Sequence, residues 1–163
     1  MTAREYFIYI LNDEAPRFER VFKSIPTDKL TYKHPDDPKA KSAGELVCDM
    51  ACEADFASFL QTGVMDFSQI QWKTCTDPAG AWQKLNEHLE KARALASGMT
   101  EAQWEDEAKM MQGDKEVWKT SKGKMAWSLI LDLIHHRGQL STYIRPMGGK
   151  VPSIYGPSAD SGE

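Results

Sequence analysis

Apolar residues recur with helical spacing in four segments of the chain, and each segment predicts an amphipathic helix. The first segment ends before Pro26, which stops the pattern. Pro16 lies inside it and predicts a kink or a local break, because proline cannot donate the backbone hydrogen bond of a helix interior. The apolar stripe of this first helix consists of Phe7, Leu11, Phe18, Val21 and Ile25.

The second and third helices carry their own start and stop signals. Ser42 and Glu45 have the spacing of a capping box, and Gly63 is well placed to end the helix that they open. Asp77 before Pro78 is an N-cap followed by the helical position where proline is favoured, and Gly98 ends that helix. The two stripes are Leu46, Met50, Phe56 or Ala57, and Leu60, then Trp82, Leu85, Leu89, Ala92 and Leu95.

Residues 99–120 are harder to assign than the helices on either side. Thr100 begins another capping box, of a single turn, and residues 112–115 predict a turn between two short extended pieces. No run alternates convincingly with period two. The fourth helix is predicted from about Lys122 to about Met147, and the proline- and glycine-containing tail 148–163 predicts no regular element.

Four helices with connections of mixed length predict an all-α fold. We expect residues 1–163 to form one domain, a four-helix bundle with a non-helical C-terminal extension. The long connections before the second and fourth helices allow a crossover. The tail should pack on the bundle, since Val151, Ile154 and Tyr155 are apolar.

Composition and charge narrow the classes of function. The chain has 163 residues and a net charge of −4, with lysines and arginines scattered along it, so we expect no nucleic-acid partner. No apolar run approaches the roughly 20 residues of a membrane span, and the first residues lack a signal-peptide pattern. The odd number of cysteines fits a reducing compartment. These features predict a soluble, cytoplasmic protein.

Charged residues interrupt three of the apolar stripes. Asp49 lies beside Met50 on the second helix, with Glu53 one turn later, and Asp132 and His136 lie four apart on the fourth. Glu14 continues the series of the first helix and should face inward or lie at the rim of the same cavity. A buried charge must be paired or bound to metal, so these residues predict a shared metal site. The alternative is structural: carboxylates that reach water and an ordinary Asp–His hydrogen bond.

Cys48 and Cys52 also lie four apart and flank Asp49. Thiolate ligation is conceivable for this pair. A buried cysteine is more often an ordinary core residue, however, and nothing nearby in the sequence lowers the pKa of either thiol.

The run His135-His136-Arg137-Gly138-Gln139-Leu140, with an aromatic residue and an arginine after it, resembles the signature at the end of the last bundle helix of the DinB family. The tail 151–160 resembles an extension found in one branch of that family. Ser42-x-x-Glu45-Leu46 lies where the family's second helix begins. The resemblance spans nearly the whole chain, and residues 135–145 carry most of its specificity.

The resemblance implies a single divalent metal bound by three histidines, one on the second helix and an H-x3-H pair on the last. These positions fall at Asp49, Asp132 and His136, so only His136 matches. A second register would pair Leu131 with His135. Two carboxylates in place of imidazoles shift the preference from zinc or nickel towards manganese, iron or magnesium, or abolish tight binding. The resemblance therefore predicts a divalent metal (Mn, Fe, Zn or Ni), and the two carboxylates leave open the alternative that this chain binds none.

Two functions follow from the resemblance. One is a metal-dependent enzyme of transferase or isomerase type that activates a low-molecular-weight thiol or water, with Glu53 as a further ligand or base. The other is a non-catalytic stress-response or ligand-binding bundle that has lost the metal. In both cases we expect a homodimer with a small-molecule ligand. Asp49, Asp132 and His136 should meet in one pocket, with Glu53, Glu14 and His135 as additional candidates.

Overall fold

The helices begin and end close to where the apolar pattern places them. The computed structural model describes residues 1–53, 56–70 and 75–161, apart from the side chains of residues 53 and 56–58. Two 3-10 turns lie at Thr27–Lys29 and Phe67–Gln69. The α-helices of the described chain are α1 Ala3–Lys23, α2 Ala43–Glu53, α3 Phe56–Thr62, α4 Pro78–Gly98, α5 Glu101–Trp104 and α6 Lys122–Ile144.

Two helix starts show the caps that their sequences predict. The Glu45 amide donates to Ser42 Oγ at 3.2 Å, and the Ser42 amide donates to Glu45 Oε2 at 2.7 Å. The carboxylate of Asp77 accepts from the Ala79 amide at 3.1 Å, with Pro78 at the first helical position. Each cap satisfies backbone groups that a helix leaves without partners at its first turn. The starts of α2 and α4 are therefore set by local sequence.

Helix α1 continues through Pro16, so the proline does not break it. Proline removes one backbone hydrogen bond from a helix interior. Buried apolar side chains lie on both sides of it, Phe7 and Leu11 before and Phe18 and Val21 after. Packing of this stripe holds the helix across the missing bond.

The prediction of an all-α fold was wrong, because the chain also forms a small mixed sheet. Its strands are β1 Val64–Asp66, β2 Glu107–Gln112 and β3 Lys115–Ser121, in the order β1-β2-β3. β1 pairs with β2 in parallel, and β2 pairs with β3 in antiparallel orientation. The sheet lies in the sequence between α3 and α6.

Two features of β2 and β3 hide them from a search for alternating apolar residues. Their pairing shifts register between Met110 and Met111, and an irregularity of this kind resets the alternation of side chains along a strand. Ala108 is the one buried residue of the two strands, and an exposed cross-strand ion pair joins Lys119 Nζ to Glu107 Oε2 at 2.6 Å. Met110 and Trp118 pack against the core while only partly buried, so neither strand has an alternating buried face.

Two glycines make the sheet possible. The turn predicted at residues 112–115 is confirmed, and Gly113 adopts a φ of +61° there. Gly63 ends α3 with a φ of +75°, and its carbonyl accepts from the Lys109 amide at 2.8 Å. A Cβ at Gly63 would lie 3.1 Å from the Glu107 carbonyl oxygen. Glycine therefore lets β1 run alongside β2 directly after the helix.

The longer helices pack as a bundle around one core. α1 and α2 each contact both α4 and α6, and α3 contacts α4 and α6. No helix in the described part of the chain combines the length and apolar character needed to cross a bilayer. The buried core includes Phe7, Leu11, Phe18, Leu46, Met50, Phe59, Leu60, Leu85, Leu89, Met125, Leu129, Leu133 and Leu140. The described chain thus has six α-helices rather than the four predicted, with α2 and α3 in the place of the second one and α5 as the predicted single turn.

The C-terminal extension is non-helical and lies against α1 and α6. Arg20 Nε donates to the Ser153 carbonyl at 2.8 Å. Asp160 accepts from Arg145 Nη2 at 2.7 Å and from the Val151 amide at 3.0 Å, and these donors, Arg145 above all, lower the pKa of the Asp160 carboxyl. Charged contacts as well as apolar side chains therefore bind the extension to the bundle.

A buried ion pair joins α1 to α6. Glu14 and Arg137 are 3% and 2% exposed, and Arg137 Nη1 donates to Glu14 Oε2. Arg17 Nη1 donates to the other oxygen of Glu14 at 3.3 Å. The Arg137 guanidinium lies 4.9 Å from the centroid of the Phe18 ring, and its Nη2 donates to the hydroxyl of Tyr155 in the extension. The prediction that Glu14 faces inward is confirmed.

Breaking this pair should strongly destabilise the fold. Glu14→Ala leaves the Arg137 charge buried without its carboxylate, and we expect a loss of about 3–5 kcal/mol in the free energy of unfolding. Equilibrium denaturation in urea measures it. The double variant Glu14→Leu/Arg137→Met removes both charges and should lose less than Glu14→Ala.

The matched control is an exposed ion pair on the same helix, Glu19 with Lys23, whose nitrogen and oxygen are 2.8 Å apart. Glu19→Ala should cost less than about 1 kcal/mol. A loss for Glu14→Ala no larger than that for Glu19→Ala would show that the buried pair does not stabilise the bundle.

Candidate functional site

A cavity of about 400 Å³ opens between the loop that precedes α2 and the C-terminal half of α6. It contains one of the three residues predicted as metal ligands, His136. Its walls are formed by His34, Asp37, Lys39, Ala40, Lys41, Leu46, His136, Gln139 and Tyr143.

The loop that forms one wall is attached to both helices. The Ala43 amide at the start of α2 donates to the Tyr32 carbonyl at 2.9 Å. The Tyr143 hydroxyl of α6 donates to the Lys41 carbonyl at 3.2 Å, and the rings of Tyr32 and Tyr143 meet edge to face with centroids 5.1 Å apart. These contacts set the position of Lys41 at the mouth of the cavity.

The Lys41 side chain brings its ammonium group to Asp49. Lys41 Nζ contacts Asp49 Oδ2, and Asp49 is 6% exposed. Burying a carboxylate costs several kcal/mol unless a cation or hydrogen-bond donors compensate it. Asp49 faces inward as predicted, and the described structure places a cation of the chain itself beside it.

His136 lies at the cavity wall with oxygen atoms beside both ring nitrogens. Its Nε2 is 3.3 Å from Asp132 Oδ2, and its Nδ1 is 3.0 Å from Gln139 Oε1. The side chain of His136 is 12% exposed, whereas that of Asp132 is 49% exposed. The inward position predicted for Asp132 is therefore wrong, because its side chain leans towards solvent while pairing with the histidine.

Glu14 and His135 lie apart from the cavity wall. Glu14 is engaged by Arg137 rather than by groups of the cavity. His135 is exposed, with its ring centroid 5.6 Å from that of His136, and Leu131 of the second register is exposed as well. The side chain of Glu53, predicted as a further ligand, lies outside the described residues.

The described side chains do not present three ligands to one ion. Among them, a set that excludes the side chains of residues 53 and 56–58, no group of three His, Cys, Asp or Glu is placed to hold a metal together. Asp49 Oδ2 contacts an ammonium group, and His136 Nε2 faces Asp132. A divalent ion would have to displace Lys41 before it could bind Asp49 Oδ2. The set Asp49, Asp132 and His136 stays a prediction that metal binding itself must test.

The cavity offers several groups that can bind a small polar ligand. Lys39 and Lys41 are cationic, and Asp37 is engaged by the Lys39 amide, which donates to its Oδ1 at 2.9 Å. The Asp36 amide donates to His34 Nδ1 at 3.3 Å, which leaves Nε2 as the ring nitrogen that can donate. The wall therefore presents positive charge and hydrogen-bond donors.

Sequence patterns identified only part of this wall. Lys41 was missed, because a lysine in a polar loop carries no periodic signal that links it to a helix position eight residues later. Gln139 and Tyr143 follow His136 by three and seven residues, which is the spacing of one helix face, and this signal was readable in the sequence.

Comparison with known proteins identifies similar chains over nearly the whole length. The family model described as the DinB family matches residues 2–163. The chain is 22% identical to a DinB-like protein from Bacillus subtilis, with a TM-score of 0.67 over 93% of this chain and 99% of that chain. It is 16% identical to a DinB-like protein from Bacillus cereus ATCC 10987, with a TM-score of 0.72 over 93% and 97%. No curated protein matches the chain.

Removing the ammonium group from Asp49 should destabilise the protein. Lys41→Met keeps the apolar stem but leaves the buried carboxylate without this cation, and we expect a loss of about 1–3 kcal/mol in the free energy of unfolding. Denaturation in urea at neutral pH measures it. Lys39→Met removes the other lysine of the cavity wall and should change stability by less than about 0.5 kcal/mol. Equal small losses in the two variants would show that the Lys41–Asp49 contact does not stabilise the fold.

Proposed function

The chain belongs to the DinB family, and on this premise we propose that it is a ligand-binding bundle in which the Lys41 ammonium replaces a metal ion. The family is generally associated with metal. The family resemblance puts the ligand of the second helix at Asp49. In this chain that residue is buried against a lysine.

The contact between Lys41 and Asp49 is the observation that carries the proposal. A buried carboxylate needs a neighbouring cation, and a metal ion and an ammonium group both meet this need. The ammonium group is supplied by the chain itself, so the buried charge of Asp49 is neutralised without a metal. Lys41 is half exposed at the cavity wall, where it can also meet a ligand.

The cavity suits a small molecule with an anionic or hydrogen-bond-accepting head group. Its volume of about 400 Å³ lies within the range of small-ligand sites, roughly 300–1,000 Å³. Lys39 and Lys41 supply positive charge, and the Gln139 amide supplies donors. Leu46 gives an apolar wall to the rest of the ligand. A compact carboxylic acid with a short apolar part has the matching chemistry.

A metal-dependent enzyme is the second candidate, and the proximity of Asp132 to His136 favours it. Asp132, His136 and Asp49 would hold the ion once Lys41 had moved, with Glu53 as a further ligand. Two carboxylates and one imidazole favour manganese or iron over zinc or nickel. A bound metal would activate water or a low-molecular-weight thiol for a transferase or isomerase reaction.

Wider features of the proposal rest on family resemblance and composition. We propose a cytoplasmic homodimer with a role in the stress response and no nucleic-acid partner, in keeping with the net charge of −4. An exposed aromatic surface on α1 and α6 supports the dimer. Tyr6 stacks on Tyr9 and on Trp127, with ring centroids 5.9 Å and 5.6 Å apart, and both tyrosines remain about half exposed.

Thermal unfolding with and without manganese, zinc and nickel tests the proposal. Purification should avoid chelators and nickel affinity resin. An ion that binds only the folded state stabilises it by about 2.7 kcal/mol at a hundred times its Kd. With Lys41 on Asp49, we expect no metal-dependent rise in the Tm of the wild type that depends on His136. Lys41→Met exposes the carboxylate to ions and should gain such a rise, which the additional change His136→Ala should abolish.

The outcome that contradicts the proposal is a metal-dependent rise in the Tm of the wild type that His136→Ala removes, and that result would establish the metal-dependent candidate.

The ligand is tested by the same thermal unfolding measurement, with short-chain carboxylic acids as probes. These acids should raise the Tm of the wild type and leave that of Lys41→Met unchanged. Equal shifts in the two proteins would show that Lys41 does not bind the ligand.

A further inference from the structure

Two thiol groups meet on α2 outside the cavity described above. Cys48 and Cys52 lie one helical turn apart, and their sulfur atoms are separated by 3.8 Å. Cys48 is buried and Cys52 is half-buried. The i, i+4 spacing of a helix puts both side chains on one face. The pair is therefore held in place by a regular element of the fold.

The distance between the sulfur atoms matches a known coordination geometry. Two thiolates bound to one tetrahedral ion at roughly 2.3 Å lie about 3.8 Å from each other. The pair already has this separation, so an ion could bind both sulfurs with little movement of the helix. A disulfide would require the sulfur atoms to approach to about 2.05 Å, and side chains one helical turn apart resist that approach.

A positive group already lies beside the pair. Lys84 Nζ of α4 is 3.7 Å from Cys52 Sγ. Lys84 is exposed and has a flexible stem, so it can move aside for an ion. Burial, with the neighbouring Cys48 thiol as a second cause, raises the pKa of Cys52. Cys52 is accordingly protonated at neutral pH, and an incoming ion must release its proton.

We propose that Cys48 and Cys52 form a two-sulfur site for a thiophilic divalent ion of the zinc class. Each thiol transfers its proton to solvent as its metal–sulfur bond forms, so one ion binds and two protons are released. Solvent or an external thiol can supply further ligands, and among the described side chains no group of three His, Cys, Asp or Glu is placed to hold a metal. The site is separate from the cavity lined by Lys41 and His136, and it takes a softer class of ion.

Cys75 is the third cysteine of the chain, and the structure assigns it another role. Its amide donates to the Gly44 carbonyl at 3.0 Å, which puts the residue beside the first turn of α2. Its thiol donates to the Asp77 carbonyl at 3.1 Å, next to the cap of α4. Cys75 therefore helps to fasten the start of α4, and it provides a matched cysteine control.

Titration with cobalt or cadmium tests the site, because zinc has no absorption of its own. Thiolate coordination produces a charge-transfer absorption band that carboxylate or imidazole ligands do not produce. We expect the wild-type protein to develop this band and to saturate at one ion per chain. Cys52→Ser and Cys48→Ser should each lose most of the band. Cys75→Ser and Asp49→Asn should keep it, and Asp49→Asn separates this site from the cavity of the proposed function.

A second readout uses the reactivity of the thiols. Bound cadmium should slow alkylation of Cys52 by iodoacetamide at least tenfold, with no such protection in Cys48→Ser. If Cys48→Ser fails to fold, the half-buried Cys52→Ser carries the comparison. The proposal is overturned by a wild-type protein that develops no band, by a band that persists in Cys52→Ser, or by a band that disappears in Cys75→Ser.

Discussion

A carboxylate buried in a helical bundle needs a cation beside it, and this requirement governs how the present chain is arranged. Glu14 of α1 is compensated by Arg137 of α6 and by Arg17, and Asp49 of α2 contacts Lys41. Arg137 also donates to Tyr155, which links the extension to the same charge network. The first charge pair thus connects α1 to α6. The second connects the loop before α2 to α2 itself, and the cavity lies between this loop and α6.

The same requirement connects the fold to the proposed function. In a family generally associated with metal, a buried carboxylate on the second helix calls for positive charge, and an ion or a side chain can provide it. Under the proposed function, the lysine beside Asp49 compensates the carboxylate in place of a metal ion. It also places an ammonium group at the wall of a cavity of about 400 Å³, next to His136 and Tyr143. A site built to stabilise an ion could in this way become one that binds a small anion.

Sequence patterns predicted what local chemistry decides and missed what depends on contacts between distant segments. Helix starts at Ser42 and Asp77 followed from their caps, and the inward position of Glu14 followed from its place in an apolar series. Its partner Arg137 is 123 residues away, so no local pattern links the two. The sheet was missed because β2 and β3 show no alternation of apolar and polar residues. Their pairing shifts register between Met110 and Met111, and most of their exposed side chains are charged or polar. The apolar pattern of the last helix also could not predict that the side chain of Asp132, at the edge of the apolar face, points to solvent.

The most direct measurement of the central claim is a crystal structure of the wild-type protein grown with manganese, with data collected for anomalous scattering. The account predicts Lys41 Nζ within hydrogen-bonding distance of Asp49 and no anomalous peak between Asp49 and His136. A peak bound by Asp49 and His136, with Lys41 displaced into solvent, would contradict it and would establish a metal centre in this chain.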